Sequence, residues 1–252
     1  MHYFFIEGET LSVGLEVALA GEDLNHAYRV LRLKAGDNVA IADGLGWAWK
    51  GQIVFSSPEK VIACLNRELP AAESFLKITL FQSLVKGDKM DLIVRQAVEL
   101  GVRRIVPILT GRSIPQRGGQ QDEKRVLRWR SIIRTAAAQC RRAYLTKIET
   151  TSKLNSVLPR LESCKTLVPW EGEKILPISR ILKQTCPEDR AVFLFIGPEG
   201  GFDRPEIEAL VKAGAISVHL GPRILRSETA AAAAITMVQA AWGDLTGEGD
   251  CN

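Results

Sequence analysis

The chain has 252 residues, 46% of them hydrophobic and 25% charged, with a formal net charge of +4. That length holds one large domain, or a small and a medium one, and the composition is that of an ordinary globular protein rather than a disordered or fibrous one. No apolar run approaches the roughly 20 residues that span a bilayer, so a membrane partner is not expected.

The first residues, MHYFFIEGET, lack a basic start and a long apolar stretch, so no secretory signal is expected. From Met1 to about Pro70 the signals are short and β-like. DLNHAYRVLRLKAGD (23–37) predicts a short helix ending near Ala35 and Gly36. NVAIAD and WAWKGQIVF, on either side of GLG (44–46), predict a hairpin, and EKVIACLN (59–66) a further strand. Several short strands in so few residues suggest a small β-barrel. LPAAES (69–74) marks a boundary, giving domains over 1–72 and 73–252.

Beyond it strands and helices alternate. KITLFQSLV (77–85) is a strand. DKMDLIVRQAVELG (88–101) is a helix with Met90, Ile93, Val94, Ala97, Val98 and Leu100 near one face and Gly101 at its C-cap. RRIVPILT (103–110) is a strand. DEKRVLRWRSIIRTAAAQC (122–140) is a helix, acids first and arginines later, as the macrodipole favours. KTLVPW (165–170) and AVFLFIG (191–197) are strands. RPEIEALVKAG (204–214) is a helix with Pro in its first turn and Gly past its end. ISVHLG (216–221) is a strand, and SETAAAAAITMVQAAWGDL (227–245) a last helix with Ser227 as N-cap. TGEGDCN reads as a frayed tail. Such alternation predicts an α/β domain with a mainly parallel sheet.

Charge is unevenly spread. Ten Lys/Arg stand against Asp122 and Glu123 between Arg112 and Lys147, so that stretch is +8 and the remainder −4. It is either a polyanion-facing surface or a solvated helix face. Five widely spaced cysteines without a CxxC, and three histidines, offer no zinc pattern. No metal is expected, and the thiols read as reduced ones of a cytoplasmic protein.

Two loops stand out. LFIGPEGGFDRPEI (194–207) and VHLGPRILRSETA (218–230) both follow a β run and both begin Gly-Pro. Ligands of parallel sheets collect beyond the carboxyl ends of strands. Glycine lets a ligand lie against the backbone, and proline stiffens the turn. Neither loop is GxxxxGK[ST] or GxGxxG, so a flat heterocycle read by backbone groups fits better than a polyphosphate. Arg226 and Glu228 flank Ser227 at a helix start, where the dipole disfavours a cation. Arg226 is therefore a ligand-facing group or half of an ion pair. The alanines that follow permit close approach, of this helix to a sheet or of a second chain.

IGPEGGF followed by LGPRILRSETA resembles the signature of the RsmE family, bacterial methyltransferases acting on N3 of a uridine in 16S ribosomal RNA. HAYRVLRLKAGD, KGDKMDLIVRQAVELGVRRIVPILTGRS and RWRSIIRTAAAQCRR resemble further family motifs in the same order. The resemblance implies a PUA-like N-terminal barrel and a C-terminal SPOUT domain with a trefoil knot, contrary to the usual rule against knots. It also implies S-adenosylmethionine as methyl donor, a homodimer, and the small ribosomal subunit as partner. The implied cofactor wall is Ile196, Gly197, Gly200, Gly201, Leu220, Gly221, Ile224, Leu225 and Thr229. Three positions depart from the pattern: Ala138 stands where Glu is usual, Arg141 where Gly is usual, and Gln96 where Lys is frequent.

Methylation at N3 needs the N3 proton removed and charge on O2 and O4 stabilised. Arg226 is the expected stabiliser, with Glu199 or Glu228 orienting it or relaying the proton. His219, inside a strand, reads as core or wall, and Cys140 as packing. Arg29, Arg32, Arg112, Arg117, Lys124, Arg125, Arg128, Arg134, Arg141 and Arg142 are candidate RNA contacts. Three rival readings are a SPOUT enzyme with another RNA target, a non-catalytic ribosome-assembly factor, and a Rossmann methyltransferase. The last lacks its glycine-rich turn, since SLVKGDK does not provide one.

Overall fold

A computed structural model describes residues 1–70, 72–113 and 119–246. They pack as two units, one of Met1–Glu73 with Arg134–Leu145, the other of Ser74–Ile133 with the chain from Thr146 onward.

The first unit contains β1 (His2–Phe5), β2 (Glu16–Leu19), α1 (Gly21–Asn25), β3 (Asn38–Ala42), β4 (Ala48–Ser56) and β5 (Val61–Leu69). Its five-stranded sheet runs β1-β3-β4-β5-β2, with only the β1–β3 pair parallel. Phe4, Val17, Ile41, Trp49, Ile53 and Leu65 meet in its core. The expected hairpin is β3–β4, with Ala42 opposite Ala48. The Asp43 carboxylate fixes its turn by accepting the amides of Leu45, Gly46 and Trp47 at 2.7, 3.1 and 3.0 Å. The helix expected to reach Ala35 ends sooner. α1 passes into a wider π turn over His26–Val30, Arg32 turns left-handed at φ 54°, and the Leu33 amide donates back to Ala27 O at 3.0 Å. Burial of Leu33 in the core stops the helix there.

Residues 134–145 join this unit through charge. Arg134 donates to Glu7 (2.9 Å), Asp23 (2.6 Å) and Phe5 O (2.6 Å). Buried Arg142 pairs with Glu73, whose other oxygen accepts the Tyr144 amide at 2.8 Å. The boundary expected near residue 72 leaves this segment with the larger domain. Its partners Glu7, Asp23 and Glu73 are distant in sequence.

The second unit follows with β6 (Lys77–Ser83), α2 (Lys89–Glu99), β7 (Arg104–Leu109), α3 (Gly119–Cys140), β8 (Lys147–Ile148), β9 (Ser152–Lys153), α4 (Leu154–Val157), β10 (Lys165–Pro169), α5 (Ile178–Leu182), β11 (Ala191–Ile196), α6 (Arg204–Lys212), β12 (Ile216–Val218) and α7 (Ser227–Trp242). The last residues of α3, from Arg134, belong to the first unit. The sheet order is β12-β10-β11-β6-β7-β8, with β9 also on β7, and every pair is parallel. The α/β expectation is met. Strand order reverses where β11 lies beside β6, and again where β10 lies between β11 and β12. Crevices at such switch points hold ligands.

Local signals explain the helices. α2 buries Met90, Ile93, Val94, Ala97 and Val98, and Gly101 after it has φ 80°. α6 carries a full capping box: Asp203 accepts the Glu206 amide at 2.9 Å and Glu206 accepts the Asp203 amide at 3.0 Å. Just past the end of α3, Arg141 takes a left-handed φ of 62°. A non-glycine residue there costs about 1–3 kcal/mol. α7 begins one residue earlier than expected. Arg226, in extended conformation, is its N-cap, and Ser227 is the first helical residue because its hydroxyl donates across to Gly197 O at 2.6 Å. Ala231 and Ala234 are buried within the chain, α7 packing on β11 and α2, so the helix-on-sheet alternative accounts for that face.

Candidate active site

The first glycine loop leaves β11 at Ile196, which is buried and in register with Gln82 of β6. Gly201, at φ 68°, closes a tight turn by donating to Pro198 O at 3.0 Å. A side chain on Gly197 would press on Phe202 at 3.2 Å, one on Gly200 on Arg112 at 3.2 Å, and one on Gly201 would enter the Glu171 carboxylate. Side chains of the chain itself therefore crowd this turn, and the positive φ of Gly201 favours glycine there independently. Arg112 holds the loop by donating to Gly200 O at 2.7 Å. Glu199 holds it from the other side, accepting the Lys86 amide and Lys89 Nζ, both at 3.0 Å. Burial alone raises the Glu199 pKa, but those two partners outweigh it and keep the carboxyl below its ordinary value. A carboxylate so held is a poor proton acceptor.

The second loop, 219–225, is tied to the first by Ser227. Its hydroxyl donates to Gly197 O and accepts Gln82 Nε2 at 3.0 Å, while the same Nε2 donates to Ser83 O at 2.9 Å. Gln82 is fully buried and Ser227 nearly so. Three buried acceptors in this region, Gln82 Oε1, Ser83 Oγ and Glu228 Oε2, have no partner among the described residues. Buried polar groups are nearly always paired, so such orphans call for an explanation.

Beside these loops opens a cavity of about 440 Å³, within the range of small-molecule sites, about 300–1,000 Å³. One side is Leu220, Gly221, Pro222, Arg223, Ile224 and Leu225, with Ala230 of α7. The other is Pro169, Trp170, Glu171, Glu173 and Lys174, from the exit of β10. Gly221 has φ 112°, and a Cβ there would meet nothing within 4 Å, so its glycine serves backbone shape and leaves the wall open. His219 lines the cavity as wall, and its Nδ1 accepts the Gly221 amide at 3.2 Å. Glu173 accepts the Ile175 and Leu176 amides at 2.8 and 3.1 Å, and the Ile175 bond leads in holding its carboxyl below the ordinary value.

Of the expected cofactor wall, Leu220, Gly221, Ile224 and Leu225 line this cavity; Ile196, Gly197, Gly200, Gly201 and Thr229 do not. The first four of these five shape and hold the adjoining turn, and Thr229 is exposed on α7. Sequence reasoning missed Trp170, Glu171, Glu173 and Lys174. The signal was there: KTLVPW is a third strand followed by a short glycine turn, EGE. Arg226 is exposed and makes no ion pair among the described residues, so the alternative of a pair with Glu228 is not realised.

The RNA candidates divide. Arg134 and Arg142 are neutralised by carboxylates, Arg128 pairs with Asp88 and Asp91, and Arg112 holds a carbonyl. Arg29, Arg32, Lys124 and Arg141 are exposed and Arg125 half-buried, all without an ion pair among the described residues. Arg117 lies outside the described residues. Among those residues there is no cluster of three metal-ligating side chains, and no helix is long and apolar enough to cross a membrane.

Comparison with known proteins agrees with this architecture. A family model described as an RNA methyltransferase domain matches residues 72–239, and one described as an RNA methyltransferase PUA domain matches 19–63. The ribosomal RNA small subunit methyltransferase E of Aquifex aeolicus is 31% identical, over 94% of this chain and 99% of its own. That of Bacillus subtilis is 29% identical over 94% and 96%. The crystal structure of the Neisseria gonorrhoeae enzyme of that name, bound to S-adenosyl methionine, superposes with a TM-score of 0.87 at 32% identity, covering 97% of this chain and 99% of the other.

Proposed function

The chain belongs to the ribosomal RNA small subunit methyltransferase E family, and from that premise we propose that it transfers a methyl group from S-adenosylmethionine to N3 of a uridine in 16S ribosomal RNA. The observation that carries the reading is the 440 Å³ cavity lined by Leu220–Leu225, with Ser227 tying that loop to Gly197. Its chemistry fits the donor. Backbone amides and carbonyls of 219–225 meet the edge of a heterocycle, and Trp170, Leu225 and Ile224 give it apolar faces. Bound there, S-adenosylmethionine supplies an electrophilic sulfonium methyl group.

The chain's own residues prepare the uracil. N3 becomes nucleophilic as its proton leaves, and the negative charge spreads over O2 and O4. The exposed Arg226 guanidinium answers that charge. Glu228, two residues on, is the carboxylate left to take the proton. Glu199, tethered to Lys86 and Lys89, anchors the loop instead. A new N–C bond forms as the S–C bond breaks, and the proton ends on the carboxylate. N3 is masked inside a duplex, so the uridine is captured unpaired. The two loops form the knot of a SPOUT domain, and the enzyme works in the cytoplasm as a homodimer on the small subunit.

The test is methyl transfer from labelled S-adenosylmethionine to small subunits purified from cells lacking the enzyme, followed by nucleoside analysis. The expected product is 3-methyluridine. Methyl groups on ribose, on another base, or on no nucleoside contradict the reading.

A further inference from the structure

Strand β4 alternates up to Val54 and then breaks step. Gly51 and Ile53 face the core while Gln52 and Val54 face out, so Phe55 should turn inward. It does not. The pairing with β5 slips between Ile53 and Phe55, a β-bulge, and Val54 and Phe55 both remain outside, 43% and 49% exposed. Bulges re-aim side chains and cluster near functional sites. This one takes an aromatic ring away from the core.

Tyr28 and Leu33 face Val54 and Phe55 across a cleft of about 750 Å³. Ser56 Oγ, donating to Leu33 O at 2.7 Å, ties its two walls together. Arg29, Arg32 and Lys34 stand around it, all exposed and none in an ion pair among the described residues. In the same unit Arg134 and Arg142 are neutralised by carboxylates, so these three cations are the contrast. Arg32 also occupies a left-handed backbone position that glycine would hold with less strain.

We infer that this cleft captures one unpaired nucleotide of the RNA, its base stacked on Phe55 and Tyr28 and its flanking phosphates on Arg29, Arg32 and Lys34. The inference rests on the RNA-methyltransferase reading and adds a second contact, distinct from the cavity, with a stated preference for single strands. Aromatic faces beside unpaired cations are what a single strand requires, because its bases expose their π faces; a duplex buries them. The positive rim selects an anion.

The full-length protein is titrated into a fluorescently labelled oligouridylate, and separately into the same strand paired with oligoadenylate. The single strand is expected to bind more tightly. Phe55→Ala weakens it by roughly 5- to 100-fold, Phe55→Trp restores it, and Arg32→Gln reduces the salt slope by about 0.7. Equal affinity for strand and duplex, or wild-type binding by Phe55→Ala, overturns the inference. Should Phe55→Ala unfold, Arg32→Gln and Phe55→Trp decide: an unchanged salt slope or lost binding by the tryptophan variant overturns it equally. The two readings fail separately. Oligouridylate binding without methyl transfer to subunits sinks the enzyme and leaves the cleft standing. Methyl transfer with Phe55→Ala binding unchanged does the reverse.

Discussion

Arg226→Ala lowers turnover on small subunits by on the order of 100-fold or more, the loss of about 3–4 kcal/mol expected when one preorganised donor to a developing anion is removed. Its affinity for S-adenosylmethionine is retained, because Arg226 lies outside the lining of the cavity. The guanidinium is exposed at the N-cap of α7 and makes no ion pair among the described residues, so no buried charge is stranded by the substitution. The effect therefore falls on kcat, with the cofactor KM unchanged, which is the signature of an interaction made only in the transition state. Steady-state kinetics checks it. An Ala variant at full rate would remove Arg226 from the chemistry.

Ser227→Ala is expected to act in the opposite way. Its hydroxyl is the link between the Gly197 turn and the 219–225 wall, donating at 2.6 Å to Gly197 O and receiving Gln82 Nε2. Removing it leaves the half-buried Gly197 O without this donor, at a cost of about 1 kcal/mol. Two loops then lose their common anchor, and the wall of the cavity loosens. The expected result is a cofactor Kd raised about tenfold or more, with much of kcat recovered at saturating cofactor, measured by calorimetry and by rate against cofactor concentration. A cofactor Kd equal to that of the unaltered protein would mean that the link does not support the cavity.

Much of this was legible because the decisive signals are local. The hairpin of β3 and β4 needs only Asp43 and its glycines, and α6 needs only Asp203, Pro205 and Glu206. The two Gly-Pro loops pointed to the end of the sheet where the cavity opens, and Leu220, Gly221, Ile224 and Leu225 line it. What was hidden depends on partners far along the chain. β8 and β9 have two residues each and exist only because β7 offers an edge. Trp170 and Glu171 reach the cavity because β10 lies between β11 and β12, a topological fact that no window of sequence contains. Arg134 and Arg142 read as RNA contacts because Glu7 and Glu73, which neutralise them, lie 127 and 69 residues away. That Arg112 lies against Gly200 and Glu171 against Gly201 is visible only in the fold.

The most direct measurement is a crystal structure of the chain grown with saturating S-adenosylmethionine. The donor should be seated against the Gly221–Leu225 backbone, across from Trp170 and with its methyl group accessible to an incoming base. Density for the donor anywhere else, or a filled cavity whose methyl group faces the protein interior, would contradict the account.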